Sequence, residues 1–171
     1  MRENRYDDEI FFQKYSQMAR SRQGLAGAGE WPTLQAVLPD FAGKAVLDLG
    51  CGYGWHARYA AERGAASVTA CDISEKMLAV AREKNAHSAV TYRREAFEDA
   101  DYPAETFDVV LCSLMLHYLA DYGDFVEKVH RWLKPGGILV YTVEHPVFTA
   151  YGSQDWYYGP DGEILHFPVD N

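Results

Sequence analysis

Residues 45–54 read Ala45-Val46-Leu47-Asp48-Leu49-Gly50-Cys51-Gly52-Tyr53-Gly54. The first five, apolar except for Asp48, predict a short buried strand. Three glycines at alternate positions predict a tight turn out of that strand, and the residues from Trp55 to Arg63 have a helical pattern. A glycine turn between a strand and a helix lets the backbone approach a ligand, while the helix N-terminus directs free N–H groups at it.

The alternation of strand and helix patterns continues along the chain. Further predicted strands cover residues 67–73, 90–96, 107–112 and 138–144, and predicted helices cover residues 74–85 and 121–133. Strands that alternate with helices form βαβ units, whose right-handed crossovers place the strands side by side and parallel. We therefore predict an α/β protein with a doubly wound, Rossmann-like, mostly parallel sheet.

Composition limits the class of protein. The 171 residues include 25 acidic and 16 basic side chains, for a net charge of −9, and 48% are apolar. This length and balance predict one globular domain rather than a disordered or fibrous chain. The acidic surplus argues against a nucleic acid partner. Because neither a secretory signal nor an apolar run of about 20 residues is present, we expect no membrane partner and a cytoplasmic location.

The three cysteines do not predict a metal site. Cys51, Cys71 and Cys112 are odd in number and have no CxxC spacing, which argues against a disulfide framework or a zinc finger. All three lie at the ends of predicted strands that should be neighbours in the sheet. A metal site formed by the three thiols is therefore the alternative interpretation. Small buried cysteines are common core residues, so we predict no metal.

The glycine turn favours one kind of ligand. A dinucleotide fingerprint would need a third glycine where the chain has Trp55. Asp48 lies within a buried strand, where a carboxylate is costly unless a cation pairs with it. Asp72 ends the second strand, where an acid accepts hydrogen bonds from ribose hydroxyls; a turn residue is its alternative role. The pattern indicates a ligand with a ribose and a positive charge.

Four ordered motifs carry a family resemblance. They are Val46–Gly54, Cys71–Leu78, Phe107–Val110 and Leu133–Gly137. Together they resemble the class I S-adenosylmethionine-dependent methyltransferases over roughly residues 44–144, and four motifs in order are more specific than any one. Residues 11–15 and 143–146 are similar to the small-molecule branch known as methyltransferase type 11.

The resemblance implies S-adenosylmethionine as the cofactor and assigns positions to it. Gly50, Cys51 and Gly52 would lie under its methionine part, with Asp48 near the ammonium group and Asp72 on the ribose.

The adenine ring would lie between Ile73 and Met77 on one side and Phe97 and Glu98 on the other. Family members often carry an acid where this chain has Ala96, so the resemblance implies that Glu98 or the backbone of Phe97 binds the adenine amino group. The sulfonium side would be lined by Cys112, Ser113 and Leu114, and Tyr15 is a candidate lid contact.

Two histidines are candidate catalytic residues. Methyl transfer needs a general base only if the acceptor must lose a proton, and histidine is the usual base. His117 follows the fourth predicted strand and His145 the fifth, so both are expected near the site as a base or as substrate-positioning residues. The alternative for each is a structural histidine. His56 is expected to position the cofactor or the lid.

The chain divides into three parts. Residues 1–29 are predicted as an N-terminal helical lid segment and linker, with Asp7 as a possible N-cap, and residues 30–150 as the S-adenosylmethionine-binding α/β domain. Residues 151–171 are predicted as an aromatic tail that forms a hairpin around Gly159-Pro160-Asp161-Gly162. Trp156 and Tyr158 could cap the acceptor pocket; packing on the sheet or on a neighbouring chain is the alternative.

We expect transfer of a methyl group from S-adenosylmethionine to a small-molecule acceptor. One alternative is an S-adenosylmethionine-binding remnant with an incomplete acceptor site. The other is a nicotinamide-dependent oxidoreductase, which Trp55 and Asp48 disfavour.

In the family the sheet continues with a sixth and an antiparallel seventh strand, for which too few residues follow Glu144. We therefore expect a chain cut short at its C-terminus, whose fifth strand is an edge covered by the hairpin or by a homodimer.

Overall fold

The central feature is a sheet of five parallel strands. The structure is a computed structural model that describes residues 4–149 and 156–168. The strands are β1 (Ala45–Leu49), β2 (Ser67–Asp72), β3 (Val90–Arg94), β4 (Phe107–Ser113) and β5 (Leu133–Thr142). Their order is β3-β2-β1-β4-β5, so the strand order reverses between β1 and β4. The predicted doubly wound, mostly parallel sheet is confirmed.

The helices connect or flank these strands. They are α1 (Glu9–Ser16), α2 (Ala19–Gln23), α3 (Trp31–Val37), α4 (Trp55–Glu62), α5 (Glu75–Lys84), α6 (Tyr122–Trp132) and α7 (Pro146–Thr149). Side chains of Ser74 and Asp121 cap α5 and α6 by accepting hydrogen bonds from backbone N–H groups inside each helix. None of the described helices has the length and apolar character to cross a membrane.

Each face of the sheet has its own core. Leu47 and Leu49 of β1 pack in a cluster with Phe125 and Trp132 of α6. Val46, the alternate residue of β1, packs in the other cluster, which includes alanines of α4 and Leu78 of α5. Successive side chains of a strand point to opposite faces, so both faces of β1 are apolar because helices cover both.

Two local predictions were wrong. The N-cap of α1 is Asp8, whose carboxylate accepts a hydrogen bond from the N–H of Phe11, whereas Asp7 bonds to α5. The fifth strand begins at Leu133 and not at residue 138, because Leu133 already pairs with Phe107; residues 134–137 form an irregularity inside β5 before Ile138 pairs with Val109.

The C-terminal part contains the predicted hairpin. Strands β6 (Tyr157–Tyr158) and β7 (Ile164–His166) are antiparallel and form a sheet of their own. Within the described ranges β5 is an edge strand, as predicted, and Tyr141 on it is 47% exposed. Cover of this edge by the hairpin or by a second copy stays a prediction. Part of the predicted tail, residues 151–155 and 169–171, lies outside the described residues.

Candidate functional site

A cavity of about 430 Å³ lies at the carboxyl ends of β1, β2 and β4, beside the point where the strand order reverses. Ligands of doubly wound sheets bind in this place, and the volume is within the range of about 300–1,000 Å³ typical of small-molecule sites. Residues of the N-terminal segment, here defined as residues 4–30, line its other side. The cavity thus lies between the glycine turn and the N-terminal segment, which is not part of the sheet.

The glycine turn forms one wall of the cavity. Gly50 has a φ of +68°, and a Cβ there would lie 2.7 Å from Cγ of Met115, so only glycine fits. Gly52 has a φ of +53°, but a Cβ there would meet only Cε of Met77, at 3.8 Å. The backbone at Gly52 therefore faces open space, as a turn that approaches a ligand must. Cys51, also on the wall, is buried.

Asp72 joins the glycine turn to α5. One carboxylate oxygen accepts a 2.8 Å hydrogen bond from the N–H of Gly52, and the other accepts a 2.9 Å bond from the N–H of Ser74. Burial raises the pKa of Asp72, although these two bonds oppose the rise. Each oxygen keeps acceptor capacity for a further donor, such as a ribose hydroxyl, because a carboxylate has about four lone-pair sites.

Asp48 lies behind the glycine turn and not on the cavity wall. It is 1% exposed, and neither of its oxygens accepts a hydrogen bond of good geometry among the described residues. Burial and then the nearby charge of Asp72 raise its pKa to about 7, and the backbone N–H of Ala57 offsets only part of this rise. A cation in the adjoining cavity would favour the ionised form of this buried carboxylate.

The region after β3 supplies an acid that sequence reasoning missed. Ile73, Met77, Phe97 and Glu98 all line the cavity, as expected. Glu95 lines it as well, and it accepts a hydrogen bond from the hydroxyl of Tyr102. Glu95 immediately precedes Ala96, the position at which family members carry an acid. Shifting the family pattern by one residue would therefore have identified Glu95.

The N-terminal segment closes the cavity with aromatic rings. Tyr6, Phe11 and Tyr15 line it, and the ring of Tyr6 packs edge-on against both others at centroid distances of 5.1 and 5.3 Å. The hydroxyl of Tyr6 lies 3.1 Å from that of Tyr118, which follows β4. Burial raises the pKa of Tyr6 and of Tyr15, so both phenols stay protonated at neutral pH.

Asp7 fastens this segment to α5. One of its oxygens accepts a 2.5 Å bond from the hydroxyl of Ser74 and a 3.1 Å bond from the N–H of Lys76. Lys76 also forms an ion pair with Glu9. The segment that covers the cavity is thus attached to the helix that follows Asp72.

A charged pair lies at another part of the wall. Arg20 and Glu30 both line the cavity and form a 2.8 Å ion pair. His56 is beside them, and burial lowers its pKa to about 4, so its ring is neutral at pH 7. The indole N–H of Trp55, another lining residue, is buried without a partner among the described residues. No sequence signal distinguished Arg20 from the other arginines, because only the path of the N-terminal segment brings it here.

The ends of β4 and β5 complete the wall. Ser113 and Leu114 line the cavity, but Cys112 does not, because its side chain is buried in the core beside Leu49. Leu114 has a φ of +54°, and its N–H bonds to Thr142 of β5. This left-handed residue turns the chain away from β4 at the cavity.

The two candidate histidines have different positions. His117 lines the cavity and packs against the ring of Tyr118 at 4.4 Å. His145 is exposed and is not on the cavity wall, and its Nδ1 accepts a bond from the N–H of Val147. Glu144, its neighbour, does line the cavity. The cavity thus brings together every predicted cofactor residue except Asp48 and Cys112, and one of the two predicted histidines.

Comparisons with known proteins agree with this geometry. A family model described as a methyltransferase domain matches residues 47–141. A solved protein of Listeria monocytogenes, assigned to the S-adenosylmethionine-dependent methyltransferases, is 51% identical with a TM-score of 0.78, over 83% of this chain and 67% of its own. A solved S-adenosylmethionine-dependent methyltransferase of Mesorhizobium loti is 41% identical with a TM-score of 0.76, over 86% and 67%.

A Pseudomonas paraeruginosa protein, named ubiquinone biosynthesis O-methyltransferase, is 46% identical over 99 residues, which are 56% of this chain and 42% of that protein. The chain spans 42–60% of the length of the first curated relatives that it matches. The family match and the two solved structures confirm the predicted cofactor, S-adenosylmethionine. The chain belongs to the methyltransferase type 11 family of class I S-adenosylmethionine-dependent methyltransferases.

Proposed function

We propose that this chain transfers a methyl group from S-adenosylmethionine to a small-molecule acceptor. The observation that carries the proposal is the position of Asp72, whose carboxylate lines the cavity while it bonds to Gly52 of the open glycine turn. A ribose acceptor beside an exposed backbone suits an adenosyl ligand, and the family match supplies the chemistry.

The residues present fit the cofactor. Asp72 would hold the ribose hydroxyls, Ile73 and Met77 would pack on the adenine, and Phe97 and Glu98 would border its other side. Glu95 would accept a hydrogen bond from the adenine amino group. Gly50, Cys51 and Gly52 would lie along the methionine part.

Charge complementarity supports the rest of the assignment. Arg20 would bind the carboxylate of the cofactor, because among the described lining residues it is the single Lys or Arg side chain. The unpartnered carboxylate of Asp48, behind the turn, attracts the ammonium group through the electric field without a direct contact. Ser113 and Leu114 lie on the sulfonium side, and Tyr15 covers the cofactor from the N-terminal segment.

The cofactor supplies an activated methyl group on a positively charged sulfur. The protein holds the acceptor in line with that methyl group and excludes water, since alignment at roughly 3–3.5 Å accounts for much of the rate of such displacements. The aromatic rings of Tyr6, Phe11 and Tyr15 exclude water. His117 is the base or positioning residue on the acceptor side; His145 is given no role.

Calorimetry tests the proposal on the full chain. We expect S-adenosylmethionine and S-adenosylhomocysteine to bind and NAD not to bind. Methyl transfer from radiolabelled cofactor to a panel of alcohols, phenols, amines and thiols then tests turnover. Binding without transfer to any member would identify a cofactor-binding remnant. Tight NAD binding without a response to S-adenosylmethionine would identify an oxidoreductase.

A further inference from the structure

The cavity is lined by more carboxylates than cations. Among the described lining residues there are five carboxylates and a single Lys or Arg side chain, Arg20; the acids are Glu30, Asp72, Glu95, Glu98 and Glu144. His56, also on the wall, has its pKa lowered to about 4 by burial and is neutral at pH 7. Among the described lining residues, Arg20 is therefore the one side chain that can neutralise the charge of an anionic ligand.

Arg20 is not free to bind an acceptor. It already pairs with Glu30 at 2.8 Å, and the proposed function assigns its remaining donors to the carboxylate of the cofactor. An acceptor with a phosphate or carboxylate group would leave that charge uncompensated beside several acids, which is strongly unfavourable. The charges thus disfavour anionic acceptors.

The acceptor side holds an acid of its own. Ser113 of β4 pairs in register with Thr142 of β5, and Glu144 lies two residues past this pair. The proposed function places Asp72, Glu95 and Glu98 along the adenosyl part, whereas Glu144 lines the cavity just past β5, which pairs with the β4 strand that leads into Leu114. No hydrogen bond or ion pair with another described residue involves Glu144.

Two tyrosine rings line the same cavity as Glu144. Tyr6 and Tyr118 line the same cavity, with ring centroids 6.2 Å apart. The faces of such rings attract cations. A carboxylate that has no partner among the described residues, together with two tyrosine rings, suits recognition of an ammonium group.

We propose that the methyl acceptor is a small amine, which binds as its ammonium form against Glu144 and the rings of Tyr6 and Tyr118. This inference rests on the proposed function and names its substrate class. The ammonium group must first lose one proton. His117, which lines the same cavity, accepts this proton or passes it to solvent.

The transfer step balances in charge and atoms. The lone pair of the neutral amine forms the N–C bond while the C–S bond breaks and its electron pair stays on sulfur. Positive charge passes from sulfur to nitrogen, and the products are an N-methylammonium ion and neutral S-adenosylhomocysteine. A carboxylate beside the nitrogen stabilises the charge that develops there. The same carboxylate would raise the energy of a phenolate or alkoxide nucleophile.

Matched ligands test the inference without turnover. The protein loaded with S-adenosylhomocysteine is titrated calorimetrically with amine, alcohol and carboxylate analogues of one skeleton, such as benzylamine, benzyl alcohol and benzoate, and then with aliphatic series. We expect at least one amine to bind about tenfold or more tightly than its alcohol and carboxylate counterparts. Transfer from labelled cofactor should then yield the N-methylated amine by mass spectrometry.

A pair of substitutions assigns the effect to one carboxylate. Glu144→Gln should weaken binding of that amine about tenfold and leave its alcohol counterpart within about twofold. Glu127→Gln makes the same change on the exposed surface of α6 and should alter neither. Unchanged binding of S-adenosylhomocysteine in both variants shows that they fold.

The outcomes separate this inference from the proposed function. If S-adenosylhomocysteine does not bind the wild-type chain, the proposed function fails. If it binds but no amine exceeds its alcohol and carboxylate counterparts, or if methyl transfer is to oxygen, sulfur or carbon, the amine inference is wrong and the methyltransferase proposal stands. An equal effect of the two Glu→Gln variants on amine binding also overturns it.

Discussion

Asp72 accepts a 2.8 Å hydrogen bond from the backbone N–H of Gly52, twenty residues earlier in the chain. The bond couples the glycine turn after β1 to the end of β2, and the second oxygen of Asp72 couples both to the start of α5 through Ser74. One side chain therefore sets the relative position of three segments that line the cavity.

Asp72→Asn should reduce both stability and cofactor affinity. An amide has one carbonyl oxygen, so one of the two backbone N–H donors loses its partner, which costs about 1–3 kcal/mol of unfolding free energy. We expect the dissociation constant for S-adenosylhomocysteine to rise about tenfold or more by calorimetry. Asp101→Asn, which removes only a surface ion pair with Arg131, should change neither quantity appreciably. Wild-type affinity in Asp72→Asn would contradict the ribose assignment.

Two ligands separate the roles of Arg20 and Glu95. Arg20→Ala should weaken S-adenosylhomocysteine binding about tenfold or more and leave methylthioadenosine binding nearly unchanged, because only the first ligand has a carboxylate. Glu95→Gln should weaken both, because both contain adenine. Calorimetric titration of each variant with each ligand gives the four dissociation constants to be compared with those of the wild type. If Arg20→Ala affects both ligands equally, its role is structural through the ion pair with Glu30.

The ionisation of Asp48 should make stability depend on pH. Burial and the charge of Asp72 raise its pKa to about 7, whereas in the unfolded chain the group ionises near 3.8. Between these values folding takes up a proton, so the contribution of Asp48 to stability falls as pH rises, by about 1.4 kcal/mol per unit at most, and is constant above pH 7. Urea unfolding from pH 5 to 8 should show the advantage of Asp48→Asn over wild type growing up to pH 7.

Cofactor binding should act on the same group. The positive charge of S-adenosylmethionine favours the ionised form of Asp48, so binding near pH 7 should release a proton. Calorimetry in buffers of different ionisation enthalpy measures this release, which Asp48→Asn should abolish. Proton release that is the same in wild type and variant would show that Asp48 does not sense the ligand.

Asp7 should control how long the cofactor stays bound. Asp7→Ala removes the bonds to Ser74 and Lys76, so the N-terminal segment should open more often and the dissociation rate of S-adenosylhomocysteine should rise about tenfold. Asp8→Ala is the matched control, because it removes only the cap of α1, worth about 1 kcal/mol. Stopped-flow fluorescence measures both rates. Equal rates in the two variants would assign no special role to Asp7.

The same attachment should be insensitive to pH in the neutral range. Burial raises the pKa of Asp7, but the bonds from Ser74 and Lys76 outweigh this and lower it overall. The carboxylate of Asp7 therefore stays charged at neutral pH and at all pH values down to its lowered pKa. The stabilisation from its bonds is lost only as the pH falls through that lowered pKa.

Much of the fold follows from local patterns. Apolar strands that alternate with helices, and glycines at alternate positions after β1, predicted the parallel sheet and the end of it where the cavity lies. These features depend on neighbours a few residues apart, whose preferences act before tertiary contacts form. The ends of the elements depend on tertiary contacts as well. The four residues that bulge within β5 have the composition of a turn, and only their pairing with β4 makes them part of a strand.

The site is divided in the same way. The sequence by itself determined that Gly52 and Asp72 lie at the cavity, because both are at carboxyl ends of adjacent parallel strands. Only the tertiary structure decided that Asp48 lies behind the wall, that Glu95 and Arg20 reach it, and that Asp7 binds α5 across 67 residues of sequence. Such positions depend on how segments far apart in the chain pack together, which no local spacing records; for Arg20 and Asp7 they depend on the N-terminal segment packing over the sheet.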